Sequence, residues 1–527
     1  MFVKIALLVL FFASMIGVGI YCRKNATDVN GFVLGGRSVG PWLTAFAFGT
    51  SYFSAVIFIG YAGQFGWNFG LASTWIGLGN AFIGSLLAWV VLGRRTRVMT
   101  QHIDSKTMPD FFGKRFNSEK LKIAASVIVF IFLIPYTASL YNGLSSLFSM
   151  AFDIPYYACI IIMAVLTCVY VVFGGYMATA VNDFVQGIIM LGGIVAVIAA
   201  VLKSNGGFTE AIITLSQIEN TSTEMSGSFT SFFGPDPLSL LFVVILTSLG
   251  TWGLPQMVGK FYAIKSEDSI KKGTIISTVF AVIVAGGCYF LGGFGRLYGE
   301  MPGIVGENGK VAFDNIIPAM LGALSQYAWG DIIIAVVIIL VLAASMSTLS
   351  SLVLTSSSTL TLDVINRKEQ MSEKKKLLTM RVFIAFFVAV SAVIAIVKDM
   401  FGFTFIAQMM GVSWGALAGS FLAPFMYGLY WKGTTKASVW CCYAFGIAVT
   451  IIQLLVSFGT ITFTNEVLSY LFASSIRSGV VSMVGGLILV PLVSLVTPKM
   501  SKAEVDEKFS GYDKKVLVSV KEALEEK

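Results

Sequence analysis

Long apolar stretches recur along this chain and constrain its fold more than any other feature. Between residues 3 and 499 they are each about 20 residues long, the length that a helix needs to cross a hydrocarbon core of roughly 30 Å. With 56% hydrophobic residues, 12% charged residues and a mean hydropathy of +0.83, the chain cannot form a water-soluble globule. We therefore predict an all-α polytopic membrane protein, with residues 1–527 forming a single transmembrane domain.

The apolar stretches predict about 13 transmembrane helices. They begin near residues 3, 41, 71, 123, 155, 184, 237, 272, 329, 380, 403, 437 and 477. If the N-terminus is outside, the Lys and Arg residues that face outward are only Lys4, Lys203, Arg296, Lys310, Lys398 and Arg477. The positive-inside rule therefore places the N-terminus outside and the C-terminus in the cytoplasm, in the plasma membrane (the inner membrane of a bacterium).

The distribution of charge and the motifs of the sequence argue against several classes of function. The net charge of +8 is concentrated in the inner loops and the tail, where contact with anionic membrane lipids explains it without a nucleic-acid partner. The sequence has no G-x-x-x-x-G-K-[ST] loop for a nucleotide. The six cysteines have no metal-ligand spacing and are interpreted as core thiols, and His102 is interpreted as a solvated loop residue. An ion gradient is then the expected energy source, and no enzyme activity is predicted.

Two of the predicted spans are interrupted by small and polar residues. Residues 49–55 read GTSYFSA and residues 248–255 read SLGTWGLP, and unwound backbone of this kind marks binding sites in transporters. Each interruption opens a set of five spans, residues 41–203 and 237–430, which predicts two inverted repeats. An extra first helix at 3–22, two helices within 437–498 and a cytoplasmic tail at 499–527 complete the plan. Close helix packing is the alternative explanation of the glycines.

A ladder of hydroxyl groups follows in the ninth span. Ser347 and Ser351 are four residues apart, with Thr348 on the same side of the helix. Hydroxyl and freed carbonyl oxygens are ligands that suit a hard cation such as Na+, although Ser and Thr in membrane helices also bond back to the preceding turn. In the sixth span, Asp183 is either a helix cap or an ion ligand.

At these residues the chain resembles the sodium:solute symporter family over nearly its whole length. The resemblance is carried by GGRS at 35–38, by the Gly174-Gly175 turn with Asn182-Asp183 and Gln186-Gly187, and by ASMSTLS at 344–350. It implies a LeuT-like 5+5 inverted-repeat core with broken helices. It also implies a main sodium site formed by the carbonyls of Thr50, Phe53 and Ala344 and the hydroxyls of Ser347 and Thr348. A second sodium site would use Asp183, Ser347, Ser350 and Ser351.

The range of possible substrates is narrowed by positions at which this chain differs from other members of the family. Sugar carriers have a Glu-Gln pair where this chain has Val56-Ile57, which makes a sugar an unexpected substrate. Sialic acid carriers have an arginine near the place where this chain has the neutral residues 134–137 (IPYT), which argues against a bulky sugar acid. Proline carriers have an Asp where Tyr52 stands, whereas the Gly253-Leu254-Pro255 run is similar to pantothenate carriers. The resemblance implies a small amino acid, proline-like, or a monocarboxylate, pantothenate-like.

The solute is expected beside the two breaks, where aromatic and polar residues together are typical of a small-molecule pocket. The candidate lining is Tyr52, Ser54, Phe58, Trp252, Pro255 and Gln256, for whose aromatic members core packing is the alternative. The predicted function is sodium-coupled symport of a small organic solute, in which external Na+ joins the second span to the ninth and organises the solute pocket. Proton coupling through Asp183 and a transporter-like membrane sensor are the alternatives.

Overall fold

A computed structural model describes residues 2–152, 155–220, 226–306, 309–368, 370–400 and 406–513. The described ranges are helical and contain no β-strand, only two isolated bridges. The α-helices are Phe2–Cys22, Val29–Leu34, Pro41–Tyr52, Ala62–Phe69, Thr74–Gly79, Arg94–His102, Met108–Arg115, Glu119–Phe152, Tyr156–Ser204, Phe208–Gln217, Pro237–Leu249, Pro255–Ala263, Glu267–Ala281, Gly287–Gly292, Phe313–Gly322, Gly330–Thr359, Glu373–Met400, Ile406–Tyr430, Lys436–Ser457, Glu466–Phe472, Ser475–Val496 and Lys502–Phe509. Wider π-helical turns are Val56–Tyr61, Asn80–Leu87, Trp89–Gly93, Val282–Gly286 and Leu360–Ile365.

The number of separate helices long enough to cross a membrane is smaller than the 13 crossings that the sequence predicts. The described residues contain 10 helices that are long and apolar enough to cross a membrane, or 11 if the bent pair Pro237–Gly253 and Pro255–Ala263 is one span. Two of the continuous segments, Val56–His102 and Tyr156–Ser204, have 47 and 49 residues, about twice what one crossing needs. Each contains a glycine with positive φ, Gly70 and Gly175 respectively. The all-helical prediction is confirmed, and the count of 13 stays a prediction.

Both predicted interruptions are breaks in the structure. The first follows helix Pro41–Tyr52, where Phe53 takes an extended conformation with φ −103° and ψ 99°. The second lies at Leu254, with φ −89° and ψ 119°, and the helix axis bends there by 48°. Pro255 explains the second break because proline disfavours a helical conformation in the residue before it and is itself well suited to the first position of a new helix.

The helix Gly330–Thr359, here called the hydroxyl helix, lies inside the bundle. It packs against Pro41–Tyr52, Glu119–Phe152 and Tyr156–Ser204, and from Val337 to Leu354 its side chains are buried. A helix that is buried all round needs no polar face. Its serines and threonines therefore contact protein rather than lipid, which is the condition for a site at this position.

The described part of the C-terminal tail is helical and contacts the rest of the chain. Helix Lys502–Phe509 lies against helix Arg94–His102, Lys508 Nζ donates to the Arg115 carbonyl oxygen at 3.2 Å, and Asp506 forms an ion pair of 2.6 Å with Lys432. His102 Nε2 lies 2.9 Å from the Glu507 carbonyl oxygen. His102 is thus the last residue of helix Arg94–His102 rather than a loop residue, and its contact with the tail is solvent-exposed. Residues 514–527 of the predicted tail lie outside the described residues.

Candidate functional site

The first break and the hydroxyl helix meet at a group of uncharged oxygen atoms. Thr348 Oγ1 lies 3.3 Å from the Thr50 carbonyl oxygen, 3.3 Å from that of Ser51 and 3.1 Å from that of Ala344. Ser347 Oγ donates a hydrogen bond of 2.7 Å to Thr50 Oγ1. We call these five residues, Thr50, Ser51, Ala344, Ser347 and Thr348, the neutral cluster.

The broken helix explains why carbonyl oxygens are available here. The last four carbonyls of an α-helix have no partner within the helix, and they carry the negative end of its dipole. At the end of Pro41–Tyr52 two of them, on Thr50 and Ser51, face the Thr348 hydroxyl. All of these side chains are buried. The cluster therefore offers a dehydrated cation several neutral oxygens.

The structure brings together four of the five residues predicted for the main sodium site: Thr50, Ala344, Ser347 and Thr348. Phe53 lies at the break itself and shares a cavity with Ala344. The Ser51 carbonyl belongs to the group and was missed by the sequence reasoning. Its position inside the predicted interruption at residues 49–55 is the signal that could have found it.

One helical turn further along the hydroxyl helix lies a group with formal charges. Lys260 Nζ lies 3.7 Å from Asp183 Oδ2, and these side chains are 3% and 0% exposed. Lys260 Nζ also donates to Ser351 Oγ at 2.9 Å, and Ser351 Oγ lies 2.8 Å from Ser51 Oγ. We call Asp183, Lys260 and Ser351 the charged cluster; Ser51 links it to the neutral cluster.

The residues predicted for a second sodium site are only partly assembled around Asp183. Asp183 and Ser351 both contact Lys260. Ser347 instead bonds to Thr50, and Ser350 Oγ bonds back to the Ser347 carbonyl at 2.8 Å. Asp183 is not a helix cap, because it lies inside the continuous helical segment after Gly175 and its carboxylate accepts no hydrogen bond from the described residues.

Lys260 is the functional candidate that sequence reasoning missed most clearly. The sequence count placed it among the inner-face cations, whereas the structure buries it within the second half of the second broken span. An ionisable residue inside a membrane segment needs a partner of opposite charge. Asp183 is likewise an isolated acid within an apolar segment, so the sequence indicates that each of the two charges needs a partner but does not identify that partner.

A small cavity of about 220 Å³ adjoins the neutral cluster. Ser54 is the one polar side chain in its lining, which consists of Phe53, Ser54, Phe58, Met190, Ile194, Val284, Cys288, Leu340 and Ala344. Ser54 Oγ is buried without a hydrogen-bond partner among the described residues. A buried hydroxyl without a partner is destabilising, and the Tyr136 hydroxyl that faces Ser54 and a bound ligand are the two groups able to supply one.

Two further buried polar groups near Ser54 are also unpaired. The Tyr136 hydroxyl faces Ser54 and Trp414, and the rings of Tyr136 and Trp414 lie 6.1 Å apart edge to face. Neither the Tyr136 hydroxyl nor Trp414 Nε1 has a hydrogen-bond partner in the described part of the chain. Both were missed as site residues, and Tyr136 within the apolar run of its span was the available signal.

The six residues predicted for the solute pocket do not line one cavity. Ser54 and Phe58 line the small cavity, whereas Pro255 and Gln256 line a larger cavity of about 490 Å³ that also contacts Lys260. The polar tips of the other two, Tyr52 and Trp252, are already bonded to the backbone carbonyls of Thr247 and Ile83. Each break therefore opens onto its own cavity.

Known proteins resemble this chain in sequence and in fold. The model of the sodium:solute symporter family matches residues 32–446. The chain belongs to this family. The osmoregulated proline transporter OpuE of Bacillus subtilis is 28% identical over 499 residues, covering 94% of this chain and 95% of that protein. A sodium/proline symporter of Staphylococcus aureus is 28% identical over 506 residues, covering 94% and 92%.

A solved structure shares the fold. It is the substrate-bound outward-open state of a Na+-coupled sialic acid symporter, which has a TM-score of 0.75 at 18% identity and covers 95% of this chain and 99% of that one. The chain is thus a multi-pass membrane transporter with a LeuT-type helical fold, not an enzyme. It takes up a small organic solute together with Na+, its coupling ion.

Proposed function

We propose that the neutral cluster binds the coupling sodium ion and that the 220 Å³ cavity beside it binds the solute, a small amino acid of about the size of proline. The observation that carries the proposal is that Phe53 and Ala344, both predicted sodium ligands, also line the cavity. An ion that fixes these two residues also fixes the surface that the solute contacts. The affinities for ion and solute are then coupled reciprocally.

The ion would be held by the carbonyls of Thr50, Phe53 and Ala344 and the hydroxyls of Ser347 and Thr348. The Thr348 hydroxyl is a donor 3.1 to 3.3 Å from three carbonyl oxygens, those of Thr50, Ser51 and Ala344. Rotation of its O–H bond away from these carbonyls would leave the hydroxyl oxygen and the three carbonyl oxygens available to a cation. Because no charged side chain is needed there, the site can release the ion as well as bind it.

The small size of the cavity and its apolar lining support a compact solute. Nine residues line it, fewer than the 16 that line the cavity beside Lys260. Its lining is apolar except for Ser54, and the Tyr136 hydroxyl faces both Ser54 and Trp414. These features favour a proline-like amino acid over a longer pantothenate-like monocarboxylate. Relatives of this chain transport proline.

We also propose that the chain lies in the bacterial inner membrane with the N-terminus outside and the C-terminus in the cytoplasm. The tail supports this orientation: Tyr512 accepts a hydrogen bond from Arg94 and stacks on Arg95, so the tail lies on the same side as a dense group of cations, and such groups are retained in the cytoplasm. A membrane potential of 100 mV then contributes roughly 2.3 kcal/mol for each charge that enters.

The test is transport by the purified chain in liposomes. With an inward sodium gradient we expect uptake of labelled L-proline above that of labelled pantothenate, and no accumulation when potassium replaces sodium. Stronger uptake of pantothenate would overturn the choice of solute but not the sodium site. Uptake driven by a pH gradient without sodium would overturn sodium coupling and support a proton-coupled carrier.

A further inference from the structure

The charged cluster contains a cation that belongs to the protein. We propose that the Lys260 ammonium group takes the place of a second sodium ion beside Asp183, so that the transporter binds one sodium ion per cycle and not two. The inference rests on the proposed sodium site in the neutral cluster. It goes beyond that site because it assigns the neighbouring oxygens a different, permanently attached cation.

The geometry of Lys260 supports this assignment. Its Nζ atom lies 3.7 Å from Asp183 Oδ2 and donates to Ser351 Oγ at 2.9 Å. These are two of the four side chains that a second sodium ion would use. The Asp183 carboxylate is fully buried and accepts no hydrogen bond from the described residues. A buried carboxylate of this kind requires a cation close by, and Lys260 Nζ is the cation that the structure places there.

A sodium ion and the ammonium group are alternatives at this position. Both are monovalent cations, and the repulsion between two such charges a few ångströms apart is strong where water is excluded. The other two candidate ligands are engaged elsewhere, Ser347 with Thr50 and Ser350 with the Ser347 carbonyl. With the charge of Asp183 already balanced by the ammonium group, no net negative charge remains there to hold a sodium ion while Lys260 is in place.

The position of Lys260 also relates it to the sodium path. A chain of hydrogen bonds runs from Lys260 Nζ through Ser351 Oγ to Ser51 Oγ, and the Ser51 carbonyl belongs to the neutral cluster. On its other side Lys260 lines the cavity of about 490 Å³ with Gln256 and Lys106. Because the Lys260–Asp183 pair is neutral as a unit, the sodium ion of the neutral cluster would be the only charge that the ion sites carry across the membrane.

The experiment counts sodium ions on the purified full-length protein by equilibrium binding of radioactive ²²Na+. We expect one saturable site per chain in the wild type and two in Lys260→Ala, because Asp183 then recruits an ion. Adding Ser351→Ala to Lys260→Ala should weaken the new site by at least tenfold. Lys260→Arg keeps a cation beside Asp183 and should retain a single site.

Two sites in the wild type would overturn the inference while leaving the sodium site of the neutral cluster intact. A single site in Lys260→Ala, in protein that elutes as one species in size-exclusion chromatography, would overturn it as well. If that variant does not fold, Lys260→Gln provides the same test with a side chain of more similar length. No saturable binding in the wild type would instead refute the proposed sodium site itself, so the two failures are distinguishable.

Discussion

The neutral and charged clusters are neighbours on one helix, but they balance charge in different ways. Ser347 and Ser351 are one turn apart, and Ser51 contacts both groups through its carbonyl and its hydroxyl. In the neutral cluster uncharged oxygens face each other, so an ion can enter and leave without leaving a buried charge unpaired. In the charged cluster Asp183 is buried and keeps a resident partner, Lys260. We infer that a buried carboxylate distinguishes the site with a permanent cation from the site whose cation exchanges.

The largest effect is expected when one member of the buried Lys260–Asp183 pair is removed. Asp183→Asn leaves an ammonium group buried without its counter-ion, which typically costs about 3–5 kcal/mol in the free energy of unfolding. Lys260→Ala leaves the carboxylate unpaired at a similar cost, but sodium can replace the missing ammonium. We therefore expect sodium to restore the stability of Lys260→Ala and not that of Asp183→Asn, measured by thermal unfolding in detergent.

The control is the double variant Asp183→Asn with Lys260→Met, which removes both charges and should recover most of the stability lost by either single change. Potassium at equal concentration serves as the ionic-strength control. If sodium and potassium stabilise Lys260→Ala equally, the charged cluster has no selective affinity for sodium, and the contrast between the two clusters disappears.

The second prediction removes oxygens from the neutral cluster. Ser347→Ala combined with Thr348→Ala deletes two ligands of the proposed sodium site, each worth about 1 kcal/mol. The sodium concentration for half-maximal uptake should therefore rise by at least about tenfold. The measurement is solute uptake into liposomes as a function of external sodium.

Ser345→Ala is the matched control for that pair. Its hydroxyl is buried on the same helix, but it bonds back to the Val341 carbonyl at 2.7 Å and reaches neither cluster. An unchanged sodium dependence in the double variant, or an equal rise in Ser345→Ala, would contradict the assignment of the neutral cluster.

The sequence predicted the neutral cluster better than the charged one for a physical reason. Gly49 and Pro255 identify the two breaks locally, and the four-residue spacing of Ser347 and Ser351 fixes one face of a helix. What meets that face depends on packing between distant helices. Lys260 lies 77 residues from Asp183 in the sequence, and only the folded chain shows that its ammonium reaches the carboxylate.

The solute pocket shows the same limit. Tyr52 and Trp252 are adjacent to the breaks, as predicted, but their hydroxyl and indole N–H are bonded to backbone carbonyls. Tyr136 and Trp414 come from other helices, and their unpaired polar atoms become visible only when burial is known. The elements and their breaks were therefore predictable, whereas the partners across helices were not.

The third prediction separates solute binding from ion binding. Ser54→Ala removes the unpaired hydroxyl of the small cavity, and a lost hydrogen bond to the solute of about 1 kcal/mol raises the half-saturating solute concentration roughly fivefold. Binding of ²²Na+ without solute should stay unchanged. Ser139→Ala is the control, because that hydroxyl bonds back to the Tyr136 carbonyl at 2.6 Å. A solute affinity unaffected by Ser54→Ala would remove this cavity from the substrate path.

The smallest effect on stability is expected at the exposed ion pair Lys432–Asp506, although its two charged groups are closer together than those of the buried pair. Lys432 Nζ lies 2.6 Å from Asp506 Oδ1, closer than the 3.7 Å between Lys260 and Asp183, but both exposed side chains contact water. Lys432 lowers the pKa of Asp506, so any stabilisation is present above the ordinary pKa of Asp and is lost as the pH falls through the lowered value. Water and salt screen such a pair, and Lys432→Ala should leave the unfolding temperature at pH 7 almost unchanged. A loss as large as that of Asp183→Asn would show that distance, and not burial, determines the strength of ion pairs in this protein.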